Sequence, residues 1–138
     1  MTRPWTLLLL AWLVATTATL GALFIGEVMG MTPCVLCWYQ RIFMFPLALV
    51  LGMAAYFDDR RGAVYALALT LGGLIVAAYH TLLVAGLIPK AWVPCSAGVS
   101  CADQKLDILN GFQIPWLSLA AFMALVILLV VYLRKSSR

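Results

Sequence analysis

Charged side chains are scarce in this sequence. Asp, Glu, Lys and Arg make up 10% of its 138 residues, against about 25% in soluble domains, while 65% are hydrophobic against about 45–50%. That balance excludes a water-soluble globule. Internal repeats, low-complexity tracts and Pro/Gly-rich linkers are absent too, so 1–138 reads as a single membrane domain. The nine basic residues outnumber the five acidic ones, but they form no dense patch interleaved with exposed aromatics, which removes nucleic acid as a partner. Neither of the longer connections has room for a flavin or dinucleotide fold.

Apolar length is what the chain has. A helix needs about 20 mostly apolar residues to cross about 30 Å of hydrocarbon, and the windows 5–26, 39–57, 63–83 and 115–133 meet that requirement. The expected fold is all-α, an integral membrane four-helix bundle in contact with membrane lipid. A cleaved signal peptide competes for the first window, since Arg3 precedes it and Ala15, Ala18 and Ala22 are small. The apolar stretch continues to Ile25, beyond the roughly 7–15 residues of a signal-peptide core, so a retained helix is the simpler account.

The basic residues sort by side. Arg3, Arg60, Arg61, Arg134, Lys135 and Arg138 flank one set of helix ends, whereas Lys90 and Lys105 fall in the opposite loops. The positive-inside rule therefore predicts both termini and the 58–61 turn in the cytoplasm, with the 27–38 and 84–114 loops outside. Asp58-Asp59-Arg60-Arg61 must be a turn, because four consecutive ionisable residues would cost several kcal/mol in hydrocarbon, and Gly62 lets the chain reverse. Gly72-Gly73 on the third helix, and Thr16, Thr17, Thr19 and Gly21 on the first, are small enough for close helix packing. In the second outer loop, Leu106, Ile108, Leu109 and Phe112 alternate with charged residues at helical spacing, which predicts a short amphipathic helix along the interface.

All four cysteines fall in the two outer loops. Cys34-Val35-Leu36-Cys37 follows Pro33 where the second helix begins, and the positive end of a helix dipole stabilises thiolate. Zinc would need ligands beyond these two, and no metal is expected. Cys95 and Cys101 enclose five residues with Gly98 midway, a loop supple enough to offer a disulfide to a partner. Four cysteines permit three pairings, and two structural staples are the plainest use of them.

Arg41 tilts the reading toward chemistry. It stands one turn beyond Cys37 on the same face, at a depth where a guanidinium is costly. There it would stabilise a thiolate or the oxygens of a quinone under reduction, or else snorkel to the headgroups. His80, near the outer end of the third helix, has the choice between interfacial hydrogen bonding and proton transfer. Glu27 either marks the interface or joins a polar site. Trp38, Tyr39, Trp92 and Trp116 are expected as an aromatic belt, with stacking on a quinone a second use for the first two.

The run Glu27-Val28-Met29-Gly30, then Pro33-Cys34-Val35-Leu36-Cys37-Trp38-Tyr39-Gln40-Arg41-Ile42, resembles the signature of the DsbB/BdbC disulfide-bond formation proteins. Tyr79-His80-Thr81 and Ile114-Pro115-Trp116 match that pattern as well, so the resemblance spans essentially the whole chain. It implies a thiol:quinone oxidoreductase of the bacterial inner (cytoplasmic) membrane. A thioredoxin-fold thiol oxidase, DsbA- or BdbD-like, would be reoxidised at Cys95/Cys101, and electrons would pass to Cys34/Cys37 and on to ubiquinone or menaquinone. By resemblance, Arg41 and His80 are the quinone-site residues and Cys95 is the thiol that joins the partner. The close spacing of the second pair is nearer the BdbC type than members with a wider one. The rivals are a scaffold with two structural disulfides and a quinone reductase resembling the vitamin K epoxide reductases. In the latter the Cys-x-x-Cys lies on a late helix, whereas here it opens the second.

Overall fold

The computed structural model of the chain describes residues 3–92, 105–106 and 112–137. Four helices dominate it: α1 (Pro4–Leu23), extended by a π-helical turn (Phe24–Val28), α2 (Val35–Phe57), α3 (Arg60–Val84) and α4 (Ile114–Ser136). Each forms part of an apolar span of 23 to 25 residues, or about 34 Å and more at 1.5 Å per residue, enough to cross the hydrocarbon. Leu20, Leu49, Ile75 and Ile127 are all exposed on the outside of the bundle. An exterior of that kind suits lipid, and the protein is a multi-pass membrane protein.

Two prolines help to set the boundaries: Pro4 and Pro115 stand at the first turns of α1 and α4, where the missing N–H has no helical partner to lose. Around the bundle, α2 packs on α1 and α3, and α4 on α1 and α3, so the helices close a ring. Its centre is filled by Leu8, Ala11, Leu47, Leu51, Phe122, Leu125 and Leu129. The predicted close approach at Gly72-Gly73 is present, since a Cβ at Gly73 would run into the Phe122 ring and one at Gly72 into Phe43. Gly21 differs: its missing side chain faces open space, and with Thr17 it borders a cavity.

The reversal between α2 and α3 is made by Asp58, in the left-handed region at φ 49°, which Asp tolerates better than most residues. Asp59 then caps α3, its carboxylate accepting from the Arg61 and Gly62 backbone N–H groups at 2.9 and 3.1 Å. Gly62 contributes closeness rather than a turn conformation, because a Cβ there would meet the Ala54 side chain at 2.9 Å.

The expected interfacial helix over Leu106, Ile108, Leu109 and Phe112 is not continuous. Lys105–Leu106 (β1) and Phe112–Gln113 (β2) form a short antiparallel ladder in which Leu106 faces Phe112. Leu106 and Phe112 are therefore strand residues and not positions on one helix. Ile108 and Leu109 lie outside the described residues.

Candidate functional site

The helix-opening pair sits one turn nearer the start of α2 than its apolar window suggests. Cys34 is the cap residue, in extended conformation, and Cys37 already belongs to the first turn, closed by the Trp38 N–H donating to the Cys34 carbonyl at 3.1 Å. The two sulfur atoms are 3.6 Å apart. Cys34 is 2% exposed, packed with Leu36 and Leu83, while Cys37 is half-buried.

From α3, His80 reaches the same spot. It is fully buried, with Nε2 3.9 Å from Cys34 Sγ and Nδ1 2.9 Å from the Gln40 side-chain nitrogen. The imidazole is thus a hydrogen-bonded interior group, and it supplies a third soft donor that the spacing of the cysteines does not announce. Gln40, 7% exposed, is the residue that sequence reasoning passed over. Its signal was an amide in the second turn of a largely apolar helix, beside Arg41 and one turn beyond Cys37.

Arg41 is held from three directions. Its Nη2 donates to the Ala22 carbonyl at 3.0 Å, its Cζ lies 5.3 Å from the centre of the Trp38 ring, and Gly26 leaves it room, since a Cβ there would stand 3.0 Å from Nη2. The carbonyl comes from the last turn of α1, just before the backbone widens into the π turn. The guanidinium thus bonds α2 to the backbone of α1 at the end of that helix. Glu27 lies exposed on that π turn.

Beside these groups is a cavity of about 590 Å³ between α1, α2 and α4, within the usual range for small-molecule sites. Cys37, Gln40 and Arg41 form its polar wall, and Ile25, Met44 and Phe122 are among the apolar remainder. Leu13 on α1 and Leu117 on α4 line it while remaining 46% and 45% exposed, so the cavity reaches the outer surface between these helices. A lipid-soluble molecule could enter there without crossing water. Among the described residues α3 gives nothing to the lining, and His80 stands behind Gln40. The aromatic wall is Phe45 and Phe122 rather than Trp38 or Tyr39. Trp38, Tyr39, Trp92 and Trp116 are all exposed, as a belt requires. Cys95 and Cys101 lie outside the described residues.

Comparison with known proteins shows the family. The family model described as "Disulfide bond formation protein DsbB" matches residues 3–132. A "Probable disulfide formation protein" of Metapseudomonas resinovorans is 51% identical over 134 residues, covering 96% of this chain and 93% of that protein. "Probable disulfide formation protein C 2" of Bacillus cereus is 41% identical, covering 88% and 87%. "Disulfide bond formation protein C" of Bacillus subtilis is 39% identical, covering 85% of each. No solved structure matches the chain.

Proposed function

The chain belongs to the DsbB family of disulfide bond formation proteins, and from that premise we propose that it is a membrane thiol:quinone oxidoreductase. Its partner is a thioredoxin-fold thiol oxidase, whose two thiols become a disulfide as the Cys95–Cys101 disulfide is reduced. The released thiols then reduce the Cys34–Cys37 disulfide, and that dithiol passes two electrons and two protons to ubiquinone or menaquinone, giving the quinol. The observation that carries this reading is the placement of one thiol, Cys37, and one fixed cation, Arg41, on the wall of a largely apolar cavity that opens between α1 and α4.

Each group has a role that its position supports. Cys37 faces the quinone as the electron donor, and Arg41 stabilises the negative charge that grows on a quinone oxygen. Its tethers to Ala22 and Trp38 keep the guanidinium in place before that charge appears. His80 serves the thiols rather than the ring: with the Gln40 amide donating to Nδ1, the Nε2–H faces Cys34 and stabilises its thiolate. Cys34 exchanges with the outer pair, and its cover by Leu36, Leu83 and His80 has to open for that step. Cys95 takes the partner in a mixed disulfide.

The family supports a bacterial inner-membrane location, and the positive-inside pattern supports an orientation with the cysteine loops on the outer face and both termini in the cytoplasm. Thiol reagents that cannot cross the membrane should then label the reduced protein from outside, and labelling confined to the cytoplasmic face would reverse the topology. The activity is tested by incubating purified protein in detergent with a reduced thioredoxin-fold substrate and quinone. Loss of the quinone absorbance at the rate of substrate oxidation is expected. Substrate left reduced, with the quinone unchanged, would leave the four cysteines as staples.

A further inference from the structure

Two thiols and an imidazole converge at the start of α2, and their spacing is that of a metal site. Cys34 Sγ is 3.6 Å from Cys37 Sγ and 3.9 Å from His80 Nε2, and all three donors lie within 4.8 Å of one another. Around a tetrahedral ion with Zn–S of about 2.3 Å and Zn–N of about 2.0–2.1 Å, two sulfurs stand about 3.8 Å apart and sulfur and nitrogen about 3.6 Å. Two edges of the site are therefore within a few tenths of an ångström of what an ion needs. The third closes with an adjustment on the order of 1 Å at most.

We propose that the dithiol form of this protein binds one thiophilic divalent cation, zinc or cadmium in character, through Cys34, Cys37 and His80, with water in the fourth position. Two thiol protons leave for each ion bound, the neutral imidazole gives a lone pair, and no electron moves. Charge favours this outcome in a buried setting, because two thiolates and one divalent ion sum to zero where a single thiolate would be left uncompensated. Gln40 completes the arrangement. A ligating histidine donates its other ring N–H to an acceptor, and rotation of the Gln40 amide brings its carbonyl to the position 2.9 Å from Nδ1. Soft thiolate and imidazole donors select zinc and its heavier relative over magnesium or calcium.

Binding would withhold the dithiol from oxidation, so metal availability becomes a reversible brake on a chain of thiol exchange. Oxidation to the Cys34–Cys37 disulfide removes both thiolates and releases the ion. The binding itself involves no quinone and no partner, so its outcome is separable from that of the proposed activity.

The full chain in detergent, reduced and kept free of oxygen, is titrated with cadmium chloride while the thiolate-to-cadmium absorption in the ultraviolet is followed. One ion per chain is expected, lost when the protein is oxidised and lost in Cys34→Ser or Cys37→Ser. Cys95→Ser/Cys101→Ser should retain it. Outer partners alone carry about 10- to 100-fold in metal affinity, so His80→Ala should weaken binding by more than about tenfold and Gln40→Leu by about tenfold. X-ray absorption on the zinc-loaded wild type, which needs no variant to fold, should show two sulfurs and one histidine nitrogen. Four sulfurs, no nitrogen, wild-type affinity in His80→Ala, or loss of the ion in the Cys95/Cys101 variant would each overturn the assignment.

Discussion

The two ends of the bundle use polar groups in opposite ways. At the Asp58 end they terminate helices: Asp59 caps α3, the Tyr132 hydroxyl donates to Asp58 at 3.4 Å, and the Trp5 indole donates to the Ala55 carbonyl at 2.6 Å. Most of these groups belong to exposed residues, and the connection is as short as two helices allow. At the cysteine end, Gln40, His80 and Cys34 lie inside the bundle, the helix before them widens into a π turn, and a cavity replaces packing. Burying an amide and an imidazole where leucines would fit costs stability unless each is paired. They are paired, with each other and with a thiol, as the proposed site requires. One end is built for closure and the other for exchange.

If that division holds, substitutions at the cysteine end should remove turnover and leave the fold, and substitutions at the other end should do the reverse. The most severe case is Cys37→Ser. Quinone reduction should fall to background while the protein remains helical and still forms a mixed disulfide with its partner, read by quinone absorbance and by non-reducing gel. Unchanged quinone reduction would move the donor role elsewhere. Arg41→Met comes next, since it retains bulk and removes the cation. Loss of one preorganised stabilising donor costs about 100- to 1,000-fold in rate, so turnover should fall by about that much at saturating quinone, with the melting temperature little changed. Normal turnover at low quinone would make the guanidinium an interfacial anchor held by Ala22 and Trp38.

Much of the fold was legible because a membrane makes length and polarity decisive. Four apolar windows imply four helices, and the charged run at Asp58–Arg61 marks the reversal between two of them, although the turn itself is only Asp58 and Asp59 and the two arginines already open α3. The start of α2 was harder. Cys34-Val35-Leu36-Cys37 reads as the place where the helix begins, but the apolar window opens only at 39, whereas the backbone is already helical at Val35. The relation of His80 to Cys34 was not legible at all, since it depends on how α2 and α3 are rotated against each other across 46 residues of chain. Neither was the role of Ala22, whose side chain is inert and whose backbone carbonyl accepts from Arg41. The Leu106–Phe112 segment misled because helical spacing over so few residues also fits two short strands that pair.

Away from the cavity's polar wall, the tight seam between α3 and α4 gives a fold-directed contrast to Arg41. Gly73→Ala drives a methyl into the Phe122 ring, and overpacking of a close seam costs about 1–3 kcal/mol. The thermal midpoint in detergent should drop measurably. Quinone turnover, measured well below that midpoint, should stay near wild type, although Phe122 also touches the cavity. A large loss of turnover at unchanged stability would mean that the seam shapes the quinone site directly, and the two ends would not be separable there.

The smallest effect is expected at Asp59, and it tests the comparison from the other side. Asp59→Ala removes the carboxylate that accepts from Arg61 and Gly62, a cap whose loss costs about 0.5–2 kcal/mol in helices generally. The lower part of that range applies here, because the carboxylate is exposed and water can satisfy the two N–H groups in its place. Asp59→Asn retains an acceptor and should recover most of the difference, which separates capping from net charge at the turn. Both variants should reduce quinone at the wild-type rate, since the substitution lies at the opposite end of the bundle from Cys37 and Arg41. A drop in turnover in Asp59→Ala that Asp59→Asn restores would show that the α2–α3 turn sets the register by which His80 meets Cys34, and the closing end would then be part of the working one.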